Sequence, residues 1–250
     1  MGNKPAMYLF LKKIIKKIFP QKLVYKSEPF LRKAYSLFFL GNKYHCTVCE
    51  GSFSRFIQLQ NRELLCPRCG SLPRDRRLCD LLKNENLIQG KVLDFSPSRS
   101  LYRKFKKMPG VEYFSSDFAN EFIADHQFDI TAIKMQDNFF DLIICYHILE
   151  HVIDDRKAMA ELFRVLKPGG SLLLQTPFRD GEIFEDPTIT TAVERMKNFG
   201  QKDHVRIYSV AGISERLGQA GFSVKALQFN EQFSNPSGFS ENEVVLSCKK

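Results

Sequence analysis

Two periodicities organise the apolar residues of this 250-residue chain, and the switch between them marks its elements. Between Met7 and Phe19, the residues Met7, Leu11, Ile14, Ile15 and Ile18 recur at helical spacing. Lys12, Lys13, Lys16 and Lys17 take the opposite face, and Pro20 ends the element. From residue 89 onwards, short apolar blocks alternate with helical patterns. Lys91–Phe95 and Val111–Asp117 read as strands. Leu142-Ile143-Ile144-Cys145 is too short for a core helix and β-branched at its centre, which predicts a strand buried on both faces. Asp154-Asp155 open a helix over Ala158–Leu166, whose Met159, Leu162, Phe163 and Leu166 share one face. Lys167-Pro168-Gly169-Gly170 stop it, and Ser171–Thr176 form the next buried strand. Strand, helix and strand in this order predict an α/β unit with a parallel sheet, whose ligands bind beyond the carboxyl ends of its strands.

Charge adds a polarity to this plan. The net charge is +9, and residues 1–45 alone hold ten basic residues against one acid. Residues 80–250 hold 21 basic and 24 acidic residues, so a phosphate-bearing partner would be met by the front of the chain. The 7–19 helix suits an anionic membrane surface, or docking on its own domain or a partner subunit. A second apolar-basic stretch fills residues 21–43. No run of 18 apolar residues is present, which excludes a spanning helix, and the lysines at 12–17 disfavour a secretory signal. Ala6 stands where a myristoylation signal carries Ser or Thr.

Cysteine spacing supplies the first candidate chemistry. Cys46-Thr-Val-Cys49 and Cys66-Pro-Arg-Cys69 are separated by sixteen residues, which suits four thiolates around a structural, closed zinc ion. A redox pair or unconnected thiols are the alternatives. Gly51 and Gly70 follow the two pairs and permit tight turns. Arg74, Arg76 and Arg77 follow, either to meet phosphate or to pair with Asp75, Asp80 and Glu63.

The phrase from Phe140 to Pro177, FDLIICYHILEHV…ELFRVLKPGGSLLLQTP, resembles the S-adenosylmethionine-dependent methyltransferases. The cysteine pairs and the string EDPTITTAVERMKNFGQKDHVRIYS resemble a subgroup of type 11-like members with an N-terminal zinc knuckle. The resemblance covers about residues 44–250 and leaves residues 1–43 outside it. It implies a Rossmann-like seven-stranded methyltransferase sheet, with Phe222–Phe229 and Val244–Cys248 as the antiparallel pair that closes it. It also implies a zinc-knuckle module and linker helix over 44–88 and a methyltransferase domain over 89–250 with a lid insertion at 178–208, which follow the basic amphipathic stretch over 1–43.

By resemblance, the loop Asp94-Phe95-Ser96-Pro97 faces the methionine end of S-adenosylmethionine, although serine stands at each of the family's glycine positions. Asp117 would take the ribose hydroxyls, Asp129 and Ile130 the adenine, and Tyr146 would border the cofactor. His147 and Arg206 are expected to meet substrate. His204, with His151 as the second candidate, is expected to do any proton transfer. No Cys–His or Gly-x-Ser-x-Gly arrangement is present. The function implied is methyl transfer to a small-molecule, glycan or lipid-linked acceptor; a cytoplasmic location is expected, and the 7–19 helix, outside the resemblance, allows peripheral contact with the inner membrane surface. Two alternatives are an RNA methyltransferase of ribosomal-RNA type that grips its substrate with the zinc module and basic N-terminus, and a degenerate fold kept as a scaffold.

Overall fold

The computed structural model describes residues 21–231 and 234–250; the helix expected over 7–19 lies outside the described residues. The chain separates into two compact units, Met1–Leu82 with Asn230–Glu241, and Lys83–Phe229 with Asn242–Lys250.

In the first unit, helix α1 (Gln21–Ser36) is followed by a single 3₁₀ turn (Leu37–Phe39) and strand β1 (Leu40–His45). The unassigned 21–43 stretch is therefore largely helical. Strand β1 pairs antiparallel with β2 (Ser52–Phe53), and β3 (Ile57–Gln58) pairs antiparallel with β4 (Leu64–Leu65). Each hairpin leads into or out of a Cys-x-x-Cys turn. Gly70 takes the left-handed backbone after the second pair, but after the first it is Glu50, not Gly51, that does so. Helix α2 (Pro73–Asn84) then carries the arginines. Arg76 is fully buried, donates to the carbonyls of Leu64, Ser71, Ser237 and Gly238, and lies over the Phe56 ring at 4.5 Å. Arg77 pairs with Glu231 and lies 3.7 Å from the Phe239 ring centre. Both guanidinium groups thus hold the unit together and present nothing to phosphate.

The second unit is built on β5 (Gly90–Phe95), α3 (Arg99–Phe105), β6 (Val111–Ser116), β7 (Phe140–Tyr146), α4 (Asp155–Val165) and β8 (Leu166–Gln175). Strand β9 (Phe184–Glu185), helix α5 (Ala192–Phe199) and strand β10 (Arg206–Ile207) form an excursion from the sheet. Helix α6 (Val210–Gln219) and strands β11 (Ser223–Asn230) and β12 (Asn242–Lys249) complete the unit. The main sheet runs β11-β12-β8-β7-β5-β6, with β6, β5, β7 and β8 parallel and β12 antiparallel to β8.

Among the described residues this sheet has six strands where the resemblance implied seven. The missing one belongs after β6, where residues 117–139 form only a single bridge, Ser116 to His126. That segment holds no apolar run able to bury both faces of a strand, and its Asp117 and Asp129 carboxylates accept from backbone N–H groups of the segment itself instead. The helix stop also differs: α4 ends at Val165, and Lys167-Pro168-Gly169-Gly170 lie within β8 beside an irregularity in its pairing with β7.

The long β5–β8 strands form because Leu93, Leu142, Ile143, Ile144, Leu172, Leu173 and Leu174 are at most 1% exposed, so both sheet faces are covered. Helix α4 packs Ala158, Met159, Leu162 and Val165 into the same core, and Asp154 caps it by accepting from Lys157 N at 3.0 Å. Gly90 starts β5 with a φ of 67°; a Cβ there would lie 2.4 Å from the Asp141 carboxylate, which accepts from Lys91 N.

Candidate functional site

The register places Phe95 level with both Ser116 and Cys145, and Tyr146 level with Gln175. The carboxyl ends of β6, β5, β7 and β8 therefore share one edge. Strand β5 lies between β6 and β7, so the winding direction reverses there and opens the crevice where such sheets take ligands.

The loop after β5 is built around Ser96. Its φ of 48° is a left-handed backbone that favours glycine, so a serine there carries strain of order 1–2 kcal/mol. Two bonds hold it: Ser96 N donates to Ser116 O at 2.7 Å, and Ser96 Oγ to Asp117 Oδ1 at 2.6 Å. The loop thus keeps a glycine-like conformation without glycine. Pro97 follows, and Ser98 caps α3. Beneath the loop, Asp94 is buried and accepts from Tyr113 OH at 2.8 Å.

Asp117 stands just past the tip of β6 and is 3% exposed. Its carboxylate accepts from Ser96 Oγ and from the N–H groups of Glu121 and Phe122, at 2.6 to 2.9 Å. A carboxylate offers about four acceptor positions, so one remains. Asp129 is exposed and turns Oδ1 to both Thr131 N and Thr131 Oγ1 at 2.8 Å, which keeps its pKa below the usual carboxylate range. Ile130 beside it is buried. Tyr146 is half-buried at the end of β7.

A second cluster stands beyond β7, on a 3₁₀ turn (Leu149–His151) and the chain just before β10. Glu150, His151 and His204 each bring one ligand-type atom to within 4.8 Å of the others. The His151 and His204 rings meet edge to face at 4.7 Å. Burial, and then His151 beside it, push the His204 imidazole below its ordinary value. Burial would raise the Glu150 carboxyl, but His147 beside it outweighs burial and leaves that group low. His147 Nδ1 lies 3.3 Å from Glu150 Oε1, and His151 Nδ1 lies 3.5 Å from Asp203 Oδ2.

Arg206 braces this cluster. It is 5% exposed, and each of its three nitrogens already donates inside the protein. Nη1 bonds the Leu149 and Val152 carbonyls, Nη2 the Ile153 carbonyl at 2.8 Å, and Nε the Glu185 carboxylate at 2.8 Å. The expectation that Arg206 meets a substrate anion is corrected here: the side chain turns inward and clamps the turn that carries Glu150 and His151.

Residues 68–227, more than half of the chain, match the profile of a family described as methyltransferase domain. The chain belongs to this methyltransferase family. A protein of Mycolicibacterium smegmatis named "Probable S-adenosylmethionine-dependent methyltransferase" is 30% identical over 97 residues, which are 39% of this chain and 34% of that protein. The "Uncharacterized methyltransferase YcgJ" of Bacillus subtilis is 30% identical over 118 residues, 47% of this chain and 43% of that one. The matched segments thus span less than half the length of these curated relatives. Among solved structures, the [4+2]-cyclase SpnF shares the fold with a TM-score of 0.50 at 15% identity, over 70% of this chain and 80% of that one.

The first unit carries the other candidate centre. Cys46 Sγ lies 3.6 Å from Cys69 Sγ, and Cys49 Sγ lies 3.8 Å from Cys66 Sγ. All four sulfurs lie within 4.8 Å of one another. A regular tetrahedron with zinc–sulfur bonds of about 2.3 Å has edges of about 3.8 Å, so the four residues fit zinc. Ser71 Oγ stands beside two of them, 3.3 Å from Cys46 Sγ and 3.2 Å from Cys69 Sγ. The remaining cysteines, Cys79, Cys145 and Cys248, are buried.

Sequence reasoning picked out His151 and His204 but missed Glu150 beside them. Its trace was present: a glutamate three residues after His147 and adjacent to His151, inside an otherwise apolar phrase. A carboxylate that sits in such a phrase and is 1% exposed has to find a partner.

Proposed function

We propose that this chain is an S-adenosylmethionine-dependent methyltransferase whose acceptor is a small molecule, a glycan or a lipid-linked group. The family match carries the reading, supported by Asp129 and by the loop over Ser96, which takes a backbone that favours glycine without having one. S-adenosylmethionine, when bound, supplies a methyl group on a sulfonium, ready for in-line displacement. The chain's own part is to hold and align. Asp94, Phe95, Ser96 and Pro97 frame the methionine end, and Asp117 offers its one remaining acceptor position to the ribose. Asp129 and Ile130 take the adenine, with Tyr146 at the border. His147 and His204 face the acceptor, and His204 Nε2, which has no hydrogen-bond partner, can take a proton from it. Arg206 positions that turn and touches no substrate.

Cys46, Cys49, Cys66 and Cys69 hold one structural zinc ion. The basic amphipathic stretch over 7–19, which lies outside the described residues, is proposed to contact the anionic inner membrane surface. Phe30, Leu31, Tyr35, Leu37, Phe38 and Leu40 are exposed in a segment that also carries Lys26, Arg32, Lys33 and Lys43. Vesicle flotation checks this: the full chain should bind anionic and not neutral vesicles, and equal binding to both would reject it.

The alternative acceptor is RNA, and the buried Arg76 and Arg77 weigh against it. Incubation of the full chain with methyl-labelled S-adenosylmethionine and separate lipid, glycan, small-molecule and RNA pools decides between them. Label only in RNA would replace the present reading.

A further inference from the structure

We infer that Glu150, His151 and His204 form a second metal site, which takes a divalent transition ion such as zinc, iron(II) or manganese(II). Among the described residues only this cluster and the four cysteines bring three or more ligand-type side chains within 4.8 Å. Two imidazoles and one carboxylate suit these ions better than magnesium or calcium, which prefer all-oxygen shells.

Orphaned atoms carry the inference. His204 is 4% exposed and Glu150 1% exposed, yet His204 Nε2 and both Glu150 oxygens have no hydrogen-bond partner. His147 Nδ1 lies 3.3 Å from Oε1 without forming a directed bond. Buried polar atoms are nearly always paired, and a buried carboxylate without a partner is costly. One cation between the three side chains satisfies His204 Nε2 and one Glu150 oxygen together. Glu150 and Asp203 bring two negative charges to balance it.

The surroundings have the form of a metal site's support. Asp203 stands 3.5 Å from His151 Nδ1, a carboxylate behind an imidazole. Val205 N donates to Glu150 O at 2.9 Å, and Arg206 holds the Leu149, Val152 and Ile153 carbonyls. The two segments that supply the ligands are therefore fixed before any ion arrives.

Metal binding here does not depend on the methyltransferase reading, although the site stands where that reading puts the acceptor. An acceptor oxygen would be the natural fourth ligand, left open as in catalytic sites. With the ion bound, His204 is a ligand and no longer a base.

The test is a cobalt(II) titration of the folded full chain, with its cysteine site already loaded with zinc and weakly held metal removed. The expected result is about one further ion per chain, with the spectrum of nitrogen and oxygen ligation and no thiolate charge-transfer band. Glu150→Gln and His151→Ala should each weaken this second ion at least about tenfold, while the zinc content and the circular dichroism stay as in wild type. No second equivalent in folded wild-type protein at millimolar cobalt would overturn the inference. So would a second ion bound equally well by both variants. Binding of S-adenosylhomocysteine, read separately, tests the methyltransferase assignment and not this one.

Discussion

Arg206→Met tests the claim that this arginine is a clamp. The substitution keeps much of the bulk and removes the charge and all the donors. The carbonyls of Leu149, Val152 and Ile153 lose their guanidinium partner, and the Glu185 carboxylate loses one of two. Asp155 keeps Arg216 and the Tyr208 hydroxyl, each at 2.6 Å, so the network is thinned and not abolished. Removing one partner of a buried charged network costs about 3–5 kcal/mol. In a unit of roughly 150 residues each kcal/mol is worth about 2–4 °C, so Tm should fall by about 6–20 °C. Arg206→Lys should fall between the two, because one ammonium cannot reach three carbonyls and a carboxylate. Circular dichroism melting of the full-length proteins reads the effect. A Met variant that melts within about 2 °C of wild type would refute the clamp, since a surface substrate-binding arginine has about that small a stability effect.

Other outcomes follow from the same geometry. Cys66→Ser should lose the zinc, measured by metal analysis as a drop from about one ion per chain, and should loosen the β3–β4 hairpin; unchanged zinc content would count against the four-cysteine site. Ser96→Ala keeps the left-handed strain and loses the bond to Asp117, so it should destabilise by about 1 kcal/mol, whereas Ser96→Gly relieves the strain as it loses the bond and should be nearly neutral in the same denaturant titration; the reverse order would contradict the reading of this loop. Bonding to Arg216, and then to Arg206, holds the Glu185 carboxyl at about 2 against an ordinary 4.5. A lowered carboxyl stabilises the fold fully above about 4.5 and loses that contribution as pH falls towards 2, so the stability gap between wild type and Glu185→Gln should close over that range; a gap constant from pH 7 to pH 2 would reject the ion pair's role.

What the sequence revealed, and what it hid, divides on physical lines. Strands β5, β7 and β8 were legible because burial on both faces writes a continuous apolar run. The cysteine site was legible because its ligands are fixed by local spacing. The missing third strand shows the limit of resemblance: residues 117–139 lack the apolar run, and a family pattern had filled the gap. Arg206 misled because an arginine in a polar stretch reads as exposed, and only the fold reveals four backbone and side-chain acceptors converging on it. Glu150 and His204 come from segments far apart in the chain, and their meeting leaves no periodic trace. Residues 230–241 join the first unit through the Ser237 and Gly238 carbonyls, which Arg76 seeks out, and nothing in their composition announces it.

Isothermal titration calorimetry of the full chain with S-adenosylhomocysteine tests the central claim most directly. The account predicts about one site per wild-type chain. Asp129→Ala should weaken it about ten- to a hundredfold, the worth of one charge-assisted hydrogen bond of roughly 1.5–3 kcal/mol. His204→Ala should leave the affinity nearly unchanged, because His204 belongs to the acceptor side. Absence of any heat of binding by folded wild-type protein at millimolar S-adenosylhomocysteine would contradict the account and leave the scaffold reading in its place.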